Sequence, residues 1–141
     1  MTDTRNIDIN NIVPQQPPFR FVHRLDAFGD SEAIVTFTPG EGNLLMENGY
    51  LSAAGLIEHM AQANAARLGY LCLYVLKVPV SIGYIGQVRD LNIYRLPREG
   101  ETLTTKVMLR YEVLKISLCD VEVRSGEELL AKATLKTASK E

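Results

Sequence analysis

Histidine and cysteine are scarce in this chain: His23, His59, Cys72 and Cys119 are the only two of each among 141 residues. They have no metal-ligand spacing, so no metal site is expected. Both cysteines sit in apolar surroundings and read as reduced core residues of a cytosolic protein. Long apolar runs are also lacking. The longest uncharged apolar stretch, Leu68 to Leu76, is far too short to span a membrane. The N-terminus is polar, so no secretory leader is expected and the location is expected to be cytoplasmic. A basic surplus is missing as well. The net charge of −2 argues against general nucleic-acid binding. Residues 1–70 carry 4 Lys/Arg against 8 Asp/Glu, and residues 71–141 carry 11 against 9. A solvated face accounts for the mild basic surplus of the second half.

What is present is an ordinary globular composition, 46% hydrophobic and 23% charged. The length suits one domain over residues 1–141, with 1–11 expected to fray. The segment SAAGLIEHMAQANAARLGYL, Ser52 to about Leu71, reads as one helix. At 100° per residue, Ala54, Leu56, Ile57, Met60, Ala61, Ala63, Ala65, Leu68 and Leu71 fill an apolar arc of roughly 200°, far wider than the ~100° stripe of a surface helix. Such a helix is expected to be covered on most sides. Glu58 and Gln62 lie one turn apart on the remaining side, with Gly55 and Gly69 flanking them as the expected walls of a groove. A carboxylate in that setting is costly unless it is paired, with Arg89 as the structural candidate, or put to use.

Around the helix the pattern is β. Ile7 to Val13 suits a short helical turn, and three prolines keep 13–19 extended or turn-like. Strands are expected at Phe21–Ala27, Glu32–Phe37, Val80–Tyr94, Thr102–Val113, Ile116–Arg124 and Leu129–Thr137. Within Thr102–Val113, Leu103, Thr105, Val107, Leu109, Tyr111 and Val113 share one face. Ser52 is the expected N-cap of the helix. Short turns between consecutive strands give an antiparallel sheet. Wrapping it around the helix explains the apolar circumference, and the open face and edge make a dimer the natural completion.

The segments VPQQPPFRFVHRL (13–25), GLIEHMAQA (55–63), with its E-x-M-A-Q motif, and GYIGQVRDLNIYRLPREGETL (83–103) resemble the 3-hydroxyacyl-acyl-carrier-protein dehydratases of the hotdog fold. The loop NLLMENGYLSAAGLIE (43–58) is closer to the branch of aryl polyene and similar pigment pathways. The resemblance implies an α+β fold, an antiparallel sheet around one long central helix. It implies elimination of water from a 3-hydroxyacyl thioester in fatty-acid or polyketide-type lipid biosynthesis. It implies no cofactor, since phosphopantetheine arrives as part of the substrate. The implied partners are acyl carrier protein or an acyl-CoA thioester, and a second subunit in a homodimer or in a heterodimer with a paralogue.

In that family a histidine on the loop before the helix removes the α-proton, and a helix carboxylate protonates the departing hydroxyl. Backbone N–H groups near the helix N-terminus polarise the thioester carbonyl. Glu58 matches the carboxylate. The histidine's place holds Asn43 or Leu44, His23 stands where the family has an aspartate, and Gln15 stands where it has a non-catalytic histidine. His59 points roughly 100° from Glu58 and reads as a surface or interface residue, and His23 as a locally satisfied strand-face histidine. Asn43 precedes Glu58 by 15 residues, the spacing of some hotdog thioesterases, in which an amide holds the water or carbonyl while the carboxylate activates attack. The expected catalytic pair is Glu58 and Asn43, with Gln62, Gly49, Gly55, Tyr84 and Gly86 binding substrate. Three functions follow: a dehydratase with Glu58 as acid and another group as base, either His23 or a histidine lent by a partner subunit; a thioesterase using Asn43 and Glu58; or a non-catalytic subunit that binds the acyl chain or completes a heterodimer with a competent paralogue.

Overall fold

The computed structural model describes residues 1–81 and 83–139. The chain forms β1 (Thr2–Asp3), a single 3-10 turn (Ile9–Asn11), β2 (Arg24–Phe28), β3 (Glu32–Phe37), β4 (Met46–Glu47), β5 (Tyr50–Leu51) and α1 (Ala53–Tyr70). A π-helical turn (Leu71–Val75) extends α1, and β6 (Gly83–Ile93), β7 (Leu103–Val113), β8 (Ile116–Ser125) and β9 (Glu128–Ser139) follow. One seven-stranded sheet runs β1-β2-β3-β7-β8-β9-β6, every neighbouring pair antiparallel. It places β6, the first strand after the helix, beyond β9 at the opposite edge from β1.

The alternation seen in sequence sets the face that meets α1. Ala33, Val35 and Phe37 of β3 are fully buried, and β7 pairs with them at Val107, Thr105 and Leu103. Cys119, Val121 and Val123 of β8 and Leu135 of β9 continue the same layer. From α1, Leu56, Met60, Ala63 and Ala66 pack into it with no exposure. Each large side chain removed from water here contributes about 1.5–3 kcal/mol. The helix is thus covered on most sides, as its apolar arc requires. Ser52 caps it, accepting from the Gly55 N–H at 3.2 Å.

The N-terminus departs from the expectation of fraying. Thr2 and Asp3 pair with Phe28 and Ala27, and buried Thr4 donates its hydroxyl to the Leu25 carbonyl at 2.8 Å. Residues 43–51 hold a small hairpin, β4–β5, turned by Asn48 (φ 52°) and Gly49 (φ 82°). Positive φ at both central residues is the geometry for which Asn-Gly is suited. The common face expected along β7 ends early. A register shift between Leu109 and Tyr111 in the β7–β8 pairing leaves Tyr111 and Val113 exposed.

Candidate functional site

Glu58 and Gln62 sit on adjacent turns of α1, and Gln62 is the better anchored. Its Oε1 accepts from the Phe21 N–H at 2.6 Å. Its Nε2 donates to the Phe19 carbonyl and to Glu58 Oε1, both at 2.9 Å. One buried carboxamide therefore ties the segment before β2 to the helix and fixes the rotamer of the carboxylate. The same contact explains why strand pairing starts at Arg24 rather than at Phe21: the Phe21 N–H is given to a side chain.

Glu58 is half-buried and makes no ion pair with Arg89 or any other cation among the described residues. It opens onto a cavity of about 200 Å³. The helix contributes Glu58, Ala61, Gln62, Asn64, Ala65 and Leu68, and the facing wall includes Pro14, Gln15, Tyr84, Ile85 and Thr137. Glu58, Gln62 and Tyr84 are thus brought together as expected. Asn43, Gly49, Gly55 and Gly86 are not in the cavity wall.

The groove beside Glu58 is made by different small residues from those expected. A Cβ on Gly55 would fall 2.5 Å from Leu51 Cδ1, and one on Gly69 would fall 2.1 Å from the Ile12 carbonyl oxygen. Both glycines are close-packing points, already filled by neighbours. The open stripe is Ala61 and Ala65, whose small side chains line the cavity. Asn43 has both ends of its amide on backbone: Oδ1 accepts from the Gly40 N–H at 2.9 Å and Nδ2 donates to the Arg20 carbonyl at 3.0 Å. Gly49 shapes the β4–β5 turn, and its carbonyl accepts from the Glu99 N–H.

The histidines are equally committed. His59 is fully buried, which corrects its placement at a surface or interface. Nδ1 donates to the Phe21 carbonyl and Nε2 accepts from the Thr105 hydroxyl, each at 2.6 Å, and the ring stacks on Phe37 at 5.1 Å. The carbonyl partner fixes the Nδ1–H tautomer. Burial, set against the Phe21 hydrogen bond, lowers its pKa to about 4. His23 accepts the Thr38 N–H on Nδ1 at 3.0 Å, the local satisfaction expected of it, and burial lowers its pKa. No histidine lines the cavity.

Behind the cavity lies a polar cluster. Asn64 is a buried, hydrogen-bonded amide, donating to Thr137 Oγ1 at 3.2 Å. Its Oδ1 accepts from Nε of Arg67 at 3.1 Å. Arg67 is only 2% exposed and reaches Cys119 Sγ at 3.7 Å. It gave no signal in sequence, because a cation on a helix normally marks a solvated face. Cys72 and Cys119 are free and buried. Among the described residues, no group of His, Cys, Asp and Glu is arranged to hold a metal ion, and no helix is long and apolar enough to cross a membrane.

A curved antiparallel sheet around one central helix, with a half-buried carboxylate facing a cavity beside that helix, defines a hotdog-fold protein. The ApeP-like family, described as ApeP dehydratase, matches residues 7–141, and the chain belongs to that family. It is a dehydratase-like hotdog protein. Solved structures agree on the fold. The dehydratase heterocomplex ApeI:P from Xenorhabdus doucetiae aligns with a TM-score of 0.87 at 19% identity, over 97% of this chain and 93% of that one. The PaaI protein of the phenylacetic acid degradation operon of E. coli aligns at 0.63 and 16% identity, over 81% and 80%. The smu.793 protein of Streptococcus mutans, solved with acetyl-CoA, aligns at 0.66 and 16%, over 86% and 89%. At these identities the likeness is one of fold. A search of curated proteins finds no match.

Proposed function

We propose that this protein holds a 3-hydroxyacyl thioester, delivered on acyl carrier protein or CoA, in the cavity beside α1, and that Glu58 is the acid of a water elimination. The observation that carries this reading is the geometry of Glu58. It is held by Gln62, makes no ion pair among the described residues and lines the cavity. A carboxyl group so placed can protonate a departing 3-hydroxyl. No metal or resident cofactor enters the scheme, because phosphopantetheine comes with the substrate.

Elimination also needs a base for the α-proton. His59 has both ring nitrogens engaged in the core, His23 is outside the cavity wall, and the Asn43 amide is no base. The base therefore comes from a second subunit, in a homodimer or in a heterodimer with a paralogue. The dehydratase heterocomplex among the structural neighbours supports this division of labour. The missing base also favours a second reading, in which the chain binds acyl groups and completes a partner's site without chemistry of its own. A hydrolase remains the third reading, with Asn43 bonded to Gly40 and Arg20 and outside the cavity wall.

The test uses 3-hydroxyacyl carrier protein with this protein alone, and with a histidine-bearing dehydratase subunit added. The expected result is 2-enoyl product in the mixture; product from this chain alone would assign the base to a second copy of it, in a homodimer. Free thiol release by this chain alone would instead favour the hydrolase.

A further inference from the structure

Residues 19–21 precede β2, and four of their backbone polar groups are held by side chains rather than by a neighbouring strand. Gln62 Nε2 donates to the Phe19 carbonyl at 2.9 Å, and Asn43 Nδ2 donates to the Arg20 carbonyl at 3.0 Å. The Phe21 N–H donates to Gln62 Oε1 and the Phe21 carbonyl accepts from His59 Nδ1, each at 2.6 Å. Two of these side chains, His59 and Gln62, are neighbours one turn apart on α1. Phe21 is therefore fixed to the helix at both ends of its own backbone.

His59 is the member of this set that the elimination leaves without a part. It is fully buried, with the Thr105 hydroxyl donating to Nε2 at 2.6 Å and the ring stacked on Phe37. A polar ring in the core is costly unless its partners are in place, so both bonds are held tightly. Burial keeps the ring neutral above about pH 4, and its one N–H stays on Nδ1. The donors then all run one way: Thr105 to His59, His59 to Phe21, Phe21 to Gln62, and Gln62 to Glu58. The link passes through Phe21. With its carbonyl fixed by His59 and its N–H by Gln62, the residue cannot rock about either bond. Gln62 depends on that, because its carboxamide spans the Phe19 carbonyl and the Phe21 N–H. A shift of either group would turn the amide, and with it the hydrogen that meets Glu58 Oε1.

We propose that His59 is a positioning residue for the elimination: through the Phe21 backbone and Gln62 it sets the direction of the Glu58 carboxyl group. This rests on Glu58 being the acid. A carboxyl group that gives up its proton as the C–O bond breaks must point along that bond in the transition state, whereas holding the acyl chain makes no such demand. The effect therefore belongs to kcat rather than to KM.

The experiment measures kcat and KM for 2-enoyl formation from 3-hydroxyacyl carrier protein by the assembly with a histidine-bearing partner. His59 is changed in the wild-type chain and again in Glu58→Gln. His59→Asn keeps an amide N–H as many bonds from Cβ as Nδ1–H, whereas His59→Gln moves the amide out to the level of Nε2. Both lose the stack on Phe37, so the difference between them isolates the donor to Phe21. His59→Gln should lower kcat roughly tenfold and leave KM within about twofold. His59→Asn should keep kcat within about threefold of wild type. In Glu58→Gln, with no acid left to aim, His59→Gln should change the residual rate by less than about twofold. An unchanged kcat in His59→Gln overturns the assignment. So does an equal loss in His59→Asn, or the same fall in the Glu58→Gln background, either of which makes His59 a core residue alone. If His59→Gln does not fold, His59→Asn still decides, since a roughly tenfold loss of kcat in it overturns the assignment. Absence of 2-enoyl product from the wild-type assembly is a distinct result: it overturns the reading of Glu58 as the acid, and this assignment with it.

Discussion

Gln62 illustrates how one side chain positions a functional group and holds the fold together. Its loss would leave the Phe21 N–H and the Phe19 carbonyl unpartnered and Glu58 free to rotate. Gln62→Ala should cost about 2–4 kcal/mol in denaturant unfolding, with acyl-thioester binding weakened as well. Glu58→Gln, at a half-buried site with no ion pair among the described residues, should leave the unfolding free energy within about 0.5 kcal/mol of wild type. His59 gives the fold its pH dependence. Its pKa falls from 6.5 to about 4 on burial, so between these values the unfolded chain binds the extra proton. Stability is complete above about pH 6.5 and declines toward pH 4, by an amount on the order of 3 kcal/mol. In His59→Gln that decline should largely vanish from the pH profile of unfolding. Glu58 and Gln62 were legible in the sequence because their spacing puts them on one line of a helix. The role of His59 was not. Its position 100° from Glu58 was read correctly, but whether that side of the helix meets solvent or sheet depends on tertiary packing.

At the scale of elements, α1 and the strands β3, β7, β8 and β9 followed directly from periodicity and from the Ser52 cap. Elements that depend on partners were hidden. β1 is two residues long and exists only because β2 offers an unpaired edge. The β4–β5 hairpin did have a signal, the Asn48-Gly49 pair, which is the usual two-residue turn. The far half of β7 kept its alternation in sequence while a bulge turned its side chains out of the core. The glycines of α1 show the same limit. Their presence was clear, but nothing local said that the backbone of Ile12 would lie against Gly69. Gly69→Ala would ordinarily favour a helix by about 1 kcal/mol. Here the added methyl meets the Ile12 carbonyl oxygen at 2.1 Å. The variant should instead be less stable by about 1–3 kcal/mol in thermal or denaturant melts, and should disturb the Pro14–Gln15 wall of the cavity.

On the scale of the whole molecule, β6 ends the sheet with 11 residues bonded on one side to β9. Tyr84, Ile85 and Leu91 on it are exposed. A long apolar edge in an otherwise well-packed protein is a surface for a second subunit. Tyr84 and Ile85 also line the Glu58 cavity, so a subunit docked on β6 would lie beside it. Ile85→Lys combined with Leu91→Lys should convert the assembly to monomer in light scattering and abolish any base lent across the edge. The fold class was readable because an apolar helix of this length demands a sheet around it. The completeness of the site was not, since the base that the proposed elimination needs is not among the residues that line the cavity.

The most direct test of Glu58 as the acid is the rate of 2-enoyl formation from 3-hydroxyacyl carrier protein by the assembly with a histidine-bearing partner. Glu58→Gln is introduced in this chain alone. The rate should fall by about 10²-fold or more while assembly and stability are retained. An unchanged rate would contradict the assignment of Glu58 as the acid.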